Sequence, residues 1–271
     1  MGREEPPGAA AGGGEALCVC VLGSGSRGNA LFVSDGATSL LVDAGLSARD
    51  TARRLASRGL ALEGIQALLL THEHSDHTRG VERLVRRRRM PVYLTAGTWK
   101  AAPELRDLPE VFPIACGRPL RIGTLTVEPF AVSHDAREPA GFAITAAAGR
   151  VGIATDLGCA TDEVREHLRG CRLLVLEANH DPEMLRAGPY PPFLKQRIAG
   201  GRGHLANGET GRLLAALIHD GLEQVILAHL SRTNNTPERA LAGVAPFLEG
   251  LPVRLAAAGQ DEPSPLFRLP A

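Results

Sequence analysis

Four side chains able to bind a metal ion crowd into one short stretch, Leu68-Leu-Leu-Thr-His72-Glu-His74-Ser-Asp76-His77. The apolar residues 67–70 read as a buried strand, so the cluster begins where that strand leaves its sheet. On extended backbone His72 and His74 point to one side, and a turn into a following helix swings Asp76 and His77 round beside them. Imidazole and carboxylate donors without thiolate suit zinc, manganese or iron, whereas a structural zinc more often recruits cysteine. Polar decoration of a strand end does not account for three histidines and an aspartate at this spacing. A zincin is excluded, because His-Glu-x-x-His starting at His72 needs histidine where Asp76 stands.

A hydrolytic site with two metals needs further donors, and three more occupy strand ends. His134 follows the strand-like Pro129-Phe-Ala-Val-Ser, Asp156 follows Val151-Gly-Ile-Ala-Thr, and His229 ends Gln224-Val-Ile-Leu-Ala. Loops leaving a rigid sheet are where functional groups concentrate.

The elements that must position these residues follow from periodicity and punctuation. Apolar runs at residues 17–22, 30–33, 40–42 and 67–70 predict strands, as do 92–94, 124–128, 141–145, 151–154, 173–176 and 224–228. Ser47 is placed to cap a helix running to about Arg58, with Gly59 to end it. Further helices fit residues 78–88, 162–168, 208–219 and 237–248. Early strands in meander order and later strands alternating with helices predict an α/β fold with sheet inside and helices outside. Residues 1–15, rich in glycine, alanine and proline, are expected to be a disordered leader, and residues 16–271 a single hydrolase domain.

Composition narrows the function. Hydrophobic residues make up 44% of the chain, enough for a sizeable core, and the formal net charge is +0. No global field then draws in nucleic acid or an acidic membrane, and any polyanion must be recognised locally. Lys100 and Lys195 are the sole lysines among 30 basic residues, a bias that coding composition explains as well as phosphate binding does. Cys18, Cys20, Cys116, Cys159 and Cys171 form no Cys-x-x-Cys pair, which argues against a disulfide framework or a zinc ribbon. With no secretory core and no long apolar run, a cytoplasmic protein is expected.

The pattern His-x-His-x-Asp-His followed by a distant His, Asp and His resembles the metallo-β-lactamase superfamily. That resemblance implies an αβ/βα four-layer sandwich. It also implies that His72, His74 and His134 hold one metal and Asp76, His77 and His229 the other, with Asp156 bridging. Aspartate at the bridging position resembles the phosphodiesterase and thioester-hydrolase branches more than the β-lactamases.

Shorter stretches resemble the YycJ/WalJ branch, described as metal-dependent exonucleases acting from the 5′ end of DNA. They include Gly23-Ser-Gly-Ser-Arg-Gly-Asn29, Ser133-His-Asp-Ala136, Glu177-Ala-Asn-His-Asp181, Tyr190-Pro-Pro-Phe-Leu-Lys-Gln-Arg197, Gly203-His-Leu-Ala-Asn207 and Leu227-Ala-His-Leu-Ser-Arg-Thr-Asn-Asn-Thr-Pro237. Ala178 and Ala206 depart from the serines that pattern would carry.

The expected chemistry is hydrolysis of a phosphodiester by a hydroxide shared between two divalent metals, with Asp76 ligating and orienting it. His180 and His204 are candidates to clamp phosphate or protonate the leaving oxygen. Asn29, Lys195, Arg197 and Asn234 are candidate substrate contacts, with Arg202 and Asn235 beside them. The run Arg86 to Arg89 reads first as a solvated helix end. The enzymatic alternative is a small-substrate hydrolase, a cyclic phosphodiesterase or a glyoxalase-type thioesterase. A non-enzymatic scaffold would have no use for seven intact ligands.

Gly23-Ser-Gly-Ser-Arg-Gly28 also matches a dinucleotide fingerprint, with Asp43 as the ribose acid. The apolar runs split by Asp35-Gly36 leave no room for the helix that motif requires, so a β-hairpin and no nucleotide cofactor are expected.

Overall fold

The computed structural model describes residues 16–271, and the leader expected over residues 1–15 lies outside the described residues. The first half of the chain supplies β1 (Leu17–Gly23), β2 (Ala30–Ser34), β3 (Ser39–Val42), β4 (Ala67–Leu69), β5 (Val92–Thr95) and β6 (Val111–Ile114). The second supplies β7 (Leu120–Ile122), β8 (Leu125–Ala131), β9 (Ala140–Ala146), β10 (Gly149–Ala154), β11 (Leu173–Glu177), β12 (Gln224–Ala228) and β13 (Arg254–Ala257). A last strand, β14 (Phe267–Leu269), returns to pair antiparallel with β1. The two sheets therefore run β14-β1-β2-β3-β4-β5-β6 and β13-β12-β11-β10-β9-β8-β7. Each changes from antiparallel to parallel pairing midway, at β3 and at β10.

Alternation along the strands explains the layering. On β1, Leu17, Val19 and Val21 pack between the sheets with Phe142, Val151 and Ile153, while Cys20 and Leu22 face outward into a second apolar cluster. The helices, in chain order, are α1 (Ala48–Ala56), α2 (Ser75–Thr78), α3 (Val81–Arg88), α4 (Ala96–Ala101), α5 (Asp162–Leu168), α6 (Pro182–Ala187), α7 (Pro192–Ile198), α8 (Asn207–Ala215) and α9 (Pro237–Val244). Leu55 of α1 and Val81, Leu84 and Val85 of α3 close the outer face of the first sheet. Val164, Leu168, Leu213, Leu214, Ala240 and Val244, from α5, α8 and α9, close that of the second. The result is a helix-sheet-sheet-helix sandwich of four layers.

Departures from the expected elements have local causes. The helix expected over residues 78–88 is broken at Gly80, where a Cβ would lie 2.0 Å from the Leu46 carbonyl oxygen, so that turn must pack backbone to backbone. α8 stops at Ala215 rather than at position 219, and α9 gives way at Ala245 to a 3-10 turn. β6, β7, β13 and β14 escape periodicity because they are short or only half-buried, and β6 is an edge strand that tolerates Pro113. α6 and α7 each carry proline in the first turn, where its missing N–H costs nothing.

Candidate metal centre

The parallel strands end at one rim of the sandwich, and the chemistry sits there. Asp43 follows β3, Thr71 and His72 follow β4, Asp156 follows β10, Glu177 ends β11 and His229 follows β12. Asp43, Asp156 and His229 all hold positive φ, at 60°, 56° and 55°. Apart from Arg89 they are the only non-glycine residues to do so among the described residues. This left-handed backbone turns each side chain inward at the strand end, a conformation that costs free energy and persists where surrounding contacts enforce it.

All seven candidate ligands come together. His72, His74 and His134 present ligand atoms within 4.8 Å of one another, as do Asp76, His77 and His229, and as do His72, His77 and Asp156. The Asp156 carboxylate lies between the groups, Oδ2 at 3.2 Å from His77 Nε2 and Oδ1 at 3.6 Å from His134 Nε2 and 3.5 Å from His229 Nε2. Asp76 Oδ2 is 3.6 Å from both His77 Nε2 and His229 Nε2.

Contacts behind the cluster fix the rings. His77 Nδ1 is 2.8 Å from Asp43 Oδ2, His134 Nδ1 is 3.0 Å from the Gly203 carbonyl, and Thr71 Oγ1 is 3.0 Å from His72 Nδ1. His229 Nδ1 and His204 Nδ1 share Glu177 Oε1, at 2.9 and 2.7 Å. Occupying Nδ1 in this way leaves each Nε2 to face the cluster. Asp156, Glu177, His204 and His229 also form a close acidic and imidazole group. There Glu177 stands behind the two rings as their acceptor.

The donor set fits divalent cations. His72 Nε2, His229 Nε2 and Asp156 Oδ2 are buried with no hydrogen-bond partner among the described residues. Native interiors rarely leave three such atoms in one place, and a cation supplies the missing partner. Electrostatics points the same way. Burial, reinforced by the charge on His77, pushes His72 well below the ordinary histidine range, and burial also lowers His134. For His77 and His229 burial opposes the charge, but the carboxylates around them win and raise both well above that range. Asp156 is depressed despite full burial, by His229 and His77, and Asp76 despite burial by the neighbouring His229 and His77 rings. Glu177 is likewise brought down to about 2, burial being outweighed by His204 and His229. Protons on histidines thus balance buried carboxylates at positions that cations can take over.

An open cleft of about 300 Å³ adjoins the cluster, with His74, Asp76, His134, Asp156, His204 and His229 in one wall. Other sequence candidates fall elsewhere. Asn29 is buried, accepts from Gly25 N at 2.7 Å and donates to Asp76 Oδ2 at 3.2 Å, so it braces the metal loop. Asn234 is fully buried beneath the Ser231 turn, and the Lys195 ammonium donates to the Arg186 carbonyl at 2.7 Å. Asn235 exchanges hydrogen bonds with Asn207, 2.8 and 3.0 Å long. His180 is buried outside the cleft lining, and burial lowers its basicity. Arg197 does line the cleft, donating from Nε to Asp135 Oδ2 at 2.6 Å. Arg202 donates to the His134 carbonyl at 3.3 Å, and α3 ends in Arg86 to Arg88, with Arg86 paired to Glu82.

Sequence reasoning missed two carboxylates. Asp43, which the glycine-rich pattern casts as a ribose acid, is the partner of His77, and β2 follows that pattern where a helix would be needed. Glu177 comes one residue past the apolar run 173–176 and opens the family-like stretch ending at Asp181, with nothing in the spacing to give it a role. A strand-terminal acid is the signal common to Asp43, Asp156 and Glu177.

Fold and site together define a metal-binding hydrolase of the metallo-β-lactamase type. The profile described as "Beta-lactamase superfamily domain" matches residues 38–230, and the chain belongs to that superfamily. Within it, the chain is 39% identical over 236 residues to Exodeoxyribonuclease YycJ of Bacillus anthracis, covering 86% of this chain and 89% of that protein. It is 35% identical over 225 residues to Exodeoxyribonuclease WalJ of Streptococcus pneumoniae, covering 81% and 84%. Among solved structures, the metallo-beta-lactamase fold protein YhfI of Bacillus subtilis superposes with a TM-score of 0.73 at 18% identity, over 94% of this chain and 99% of that one. Zn(2+)-bound PqqB of Methylobacterium extorquens does so with 0.69 at 20%, over 91% and 99%. No helix among the described residues is long and apolar enough to cross a membrane.

Proposed function

We propose that this chain is a two-metal phosphodiesterase that removes nucleotides from DNA, working from the 5′ end. The observation that carries the reading is the seven-residue cluster at the strand ends, in a chain 39% identical to a named exodeoxyribonuclease along most of both lengths. His72, His74 and His134 would hold one cation and Asp76, His77 and His229 the second, with Asp156 shared between them. Zinc, manganese and iron all suit these donors. The cations supply Lewis acidity toward the phosphate and toward water.

The chain's own residues orient and protonate. Asp43 and Glu177 hold His77 and His229 by Nδ1, fixing where Nε2 points. Asn29 donates to Asp76 Oδ2 and so limits its swing. His204 lies in the cleft wall with Nδ1 tied to Glu177, and that carboxylate overcomes burial to raise its basicity. A histidine held protonated beside the phosphate is suited to donate a proton to the leaving oxygen. That leaves His180 as a buried loop histidine. A DNA substrate also fits the cytoplasmic location expected from the sequence.

The test is incubation of the metal-loaded protein with duplex and single-stranded DNA labelled at either end, beside bis-p-nitrophenyl phosphate and a glutathione thioester. Mononucleotides released from the 5′ end are expected. Thioester cleavage with DNA left intact would overturn the reading and return the small-substrate hydrolase. Metal analysis should find close to two equivalents of divalent cation per chain, and His134→Ala close to one.

A further inference from the structure

The rest of the cleft lining is of another kind. Tyr190, Leu194, Ile198 and Leu230 give it an apolar face, and Arg197 and Arg232 stand at its edge. Tyr190, Leu194 and Ile198 come from α7 and the residue just before its Pro191 cap, a helix with no buried residue. Phe193 belongs to the same helix and is 72% exposed, more than Trp99, Phe112 or Leu251, the other large hydrophobics left at the surface. Four residues apart, Phe193 and Arg197 share one stripe of α7. Phe193 is not itself a lining residue, but it stands beside Leu194 and one turn from Arg197, which are, so it is an exposed aromatic next to the cleft.

Both rim guanidinium groups are already engaged. Arg197 pairs with Asp135, and Arg232 Nη2 lies 3.3 Å from Asp261 Oδ2. Their pull on phosphate is partly neutralised, so charge alone is a weak handle for a chain of nucleotides. A cleft of about 300 Å³ is at the small end of ligand sites.

Resting on the DNA reading above, we infer that the apolar residues of α7 receive the end of the bound strand. The terminal base lies against the apolar wall of α7, and Phe193 stacks on the base of the next nucleotide inward. Aromatic stacking suits an enzyme that must accept any sequence, because every base offers a π face.

The test uses the metal-loaded full chain and a 5′-labelled single-stranded oligonucleotide, with single abasic sites placed at each of the first four positions. Phe193→Ala is expected to raise KM roughly 5- to 100-fold with kcat within about 2-fold. Phe193→Trp should restore it and Phe193→Leu should not. An abasic site at the second nucleotide should raise the wild-type KM by a similar factor and add little in Phe193→Ala, since the two changes remove one contact. If wild type degrades DNA but Phe193→Ala keeps its KM, or no abasic position couples to it, the stacking inference fails while the nuclease reading stands. If wild type leaves DNA intact, both fail.

Discussion

Glu177→Gln is the change that most sharply tests how the centre is built. Glu177 is fully buried at the end of β11 and uses both oxygens. Oε1 accepts from His204 Nδ1 and His229 Nδ1, and Oε2 accepts from the backbone N–H groups of Leu157 and Leu205 at 2.7 and 3.2 Å. An amide keeps the shape but has one acceptor oxygen. If its NH2 replaces Oε2, two buried N–H groups face a donor. If it replaces Oε1, the Nδ1–H groups of His204 and His229 face a donor, and moving the His229 proton to Nε2 to escape this would block the nitrogen that should bind the metal. Either orientation loses two hydrogen bonds to a charged acceptor, each worth about 1.5–3 kcal/mol.

The larger effect should be on metal. Partners behind a ligating histidine are worth roughly 10- to 100-fold in metal affinity or activity. Competition of the purified variant against a chelator of known affinity should therefore show weaker binding of the second equivalent by that factor, with turnover of labelled DNA falling in parallel. Thermal melting of the metal-free proteins gives the stability cost separately. Asp43→Asn, which acts on His77 from the opposite side, should give the same pattern. Wild-type metal affinity and turnover, within about 2-fold, in Glu177→Gln would refute the idea that this carboxylate orients His229.

Three further outcomes are expected. Chelation should abolish hydrolysis and lower the melting temperature, because it removes the partner of His72 Nε2, His229 Nε2 and Asp156 Oδ2, and excess divalent cation should restore both. Gly45→Ala should lose metal and stability together, since its Cβ would lie 1.6 Å from the Asp76 carbonyl oxygen and 2.7 Å from Asn29 N, displacing the loop that carries four ligands; unchanged metal content by elemental analysis would contradict this. Away from the centre, Arg150 Nη1 donates to Glu128 Oε1 at 2.7 Å and holds that carboxyl below its ordinary value of 4.5. A depressed folded pKa contributes stability that is present above 4.5 and is lost as pH falls through the folded value, so Glu128→Gln should cost stability at neutral pH and flatten the decline below pH 4.5, as urea unfolding at several pH values would show.

The strands that fill the middle of each sheet were legible because they are buried on both faces and announce themselves as apolar runs. Edge strands were not, since a half-exposed, three- or four-residue segment such as β14 carries little pattern. The seven donors were legible for a related reason: His72, His134, Asp156 and His229 each come within three residues of a strand's end, and His74, Asp76 and His77 crowd behind the first of them, so chain punctuation and chemistry coincide. Asp43 and Glu177 were passed over because a lone acid at a strand end has no spacing to distinguish it, and its role depends on a histidine 34 or 52 residues away. Lys195 and Asn234 show what residue type cannot convey: the Lys195 ammonium donates to the Arg186 carbonyl and Asn234 is buried beneath the Ser231 turn, placements set by the fold and not by spacing.

The left-handed residues connect the two halves of this account. Asp43, Asp156 and His229 follow strands from both sheets, yet each adopts the same uncommon backbone state as its strand ends. A residue continuing in extended conformation would send its side chain to one face of the sheet and the next residue to the other. Positive φ breaks that alternation, and the side chains instead converge on the line where the two sheets meet. Strain of this kind does not stabilise a fold, and glycine would relieve it; these positions hold an acid, an acid and an imidazole because only those side chains use the direction the backbone provides. Replacing Asp156 by glycine would relax the turn and remove the one carboxylate placed between both sets of histidines, so the gain in backbone freedom and the loss of metal binding would appear in the same variant.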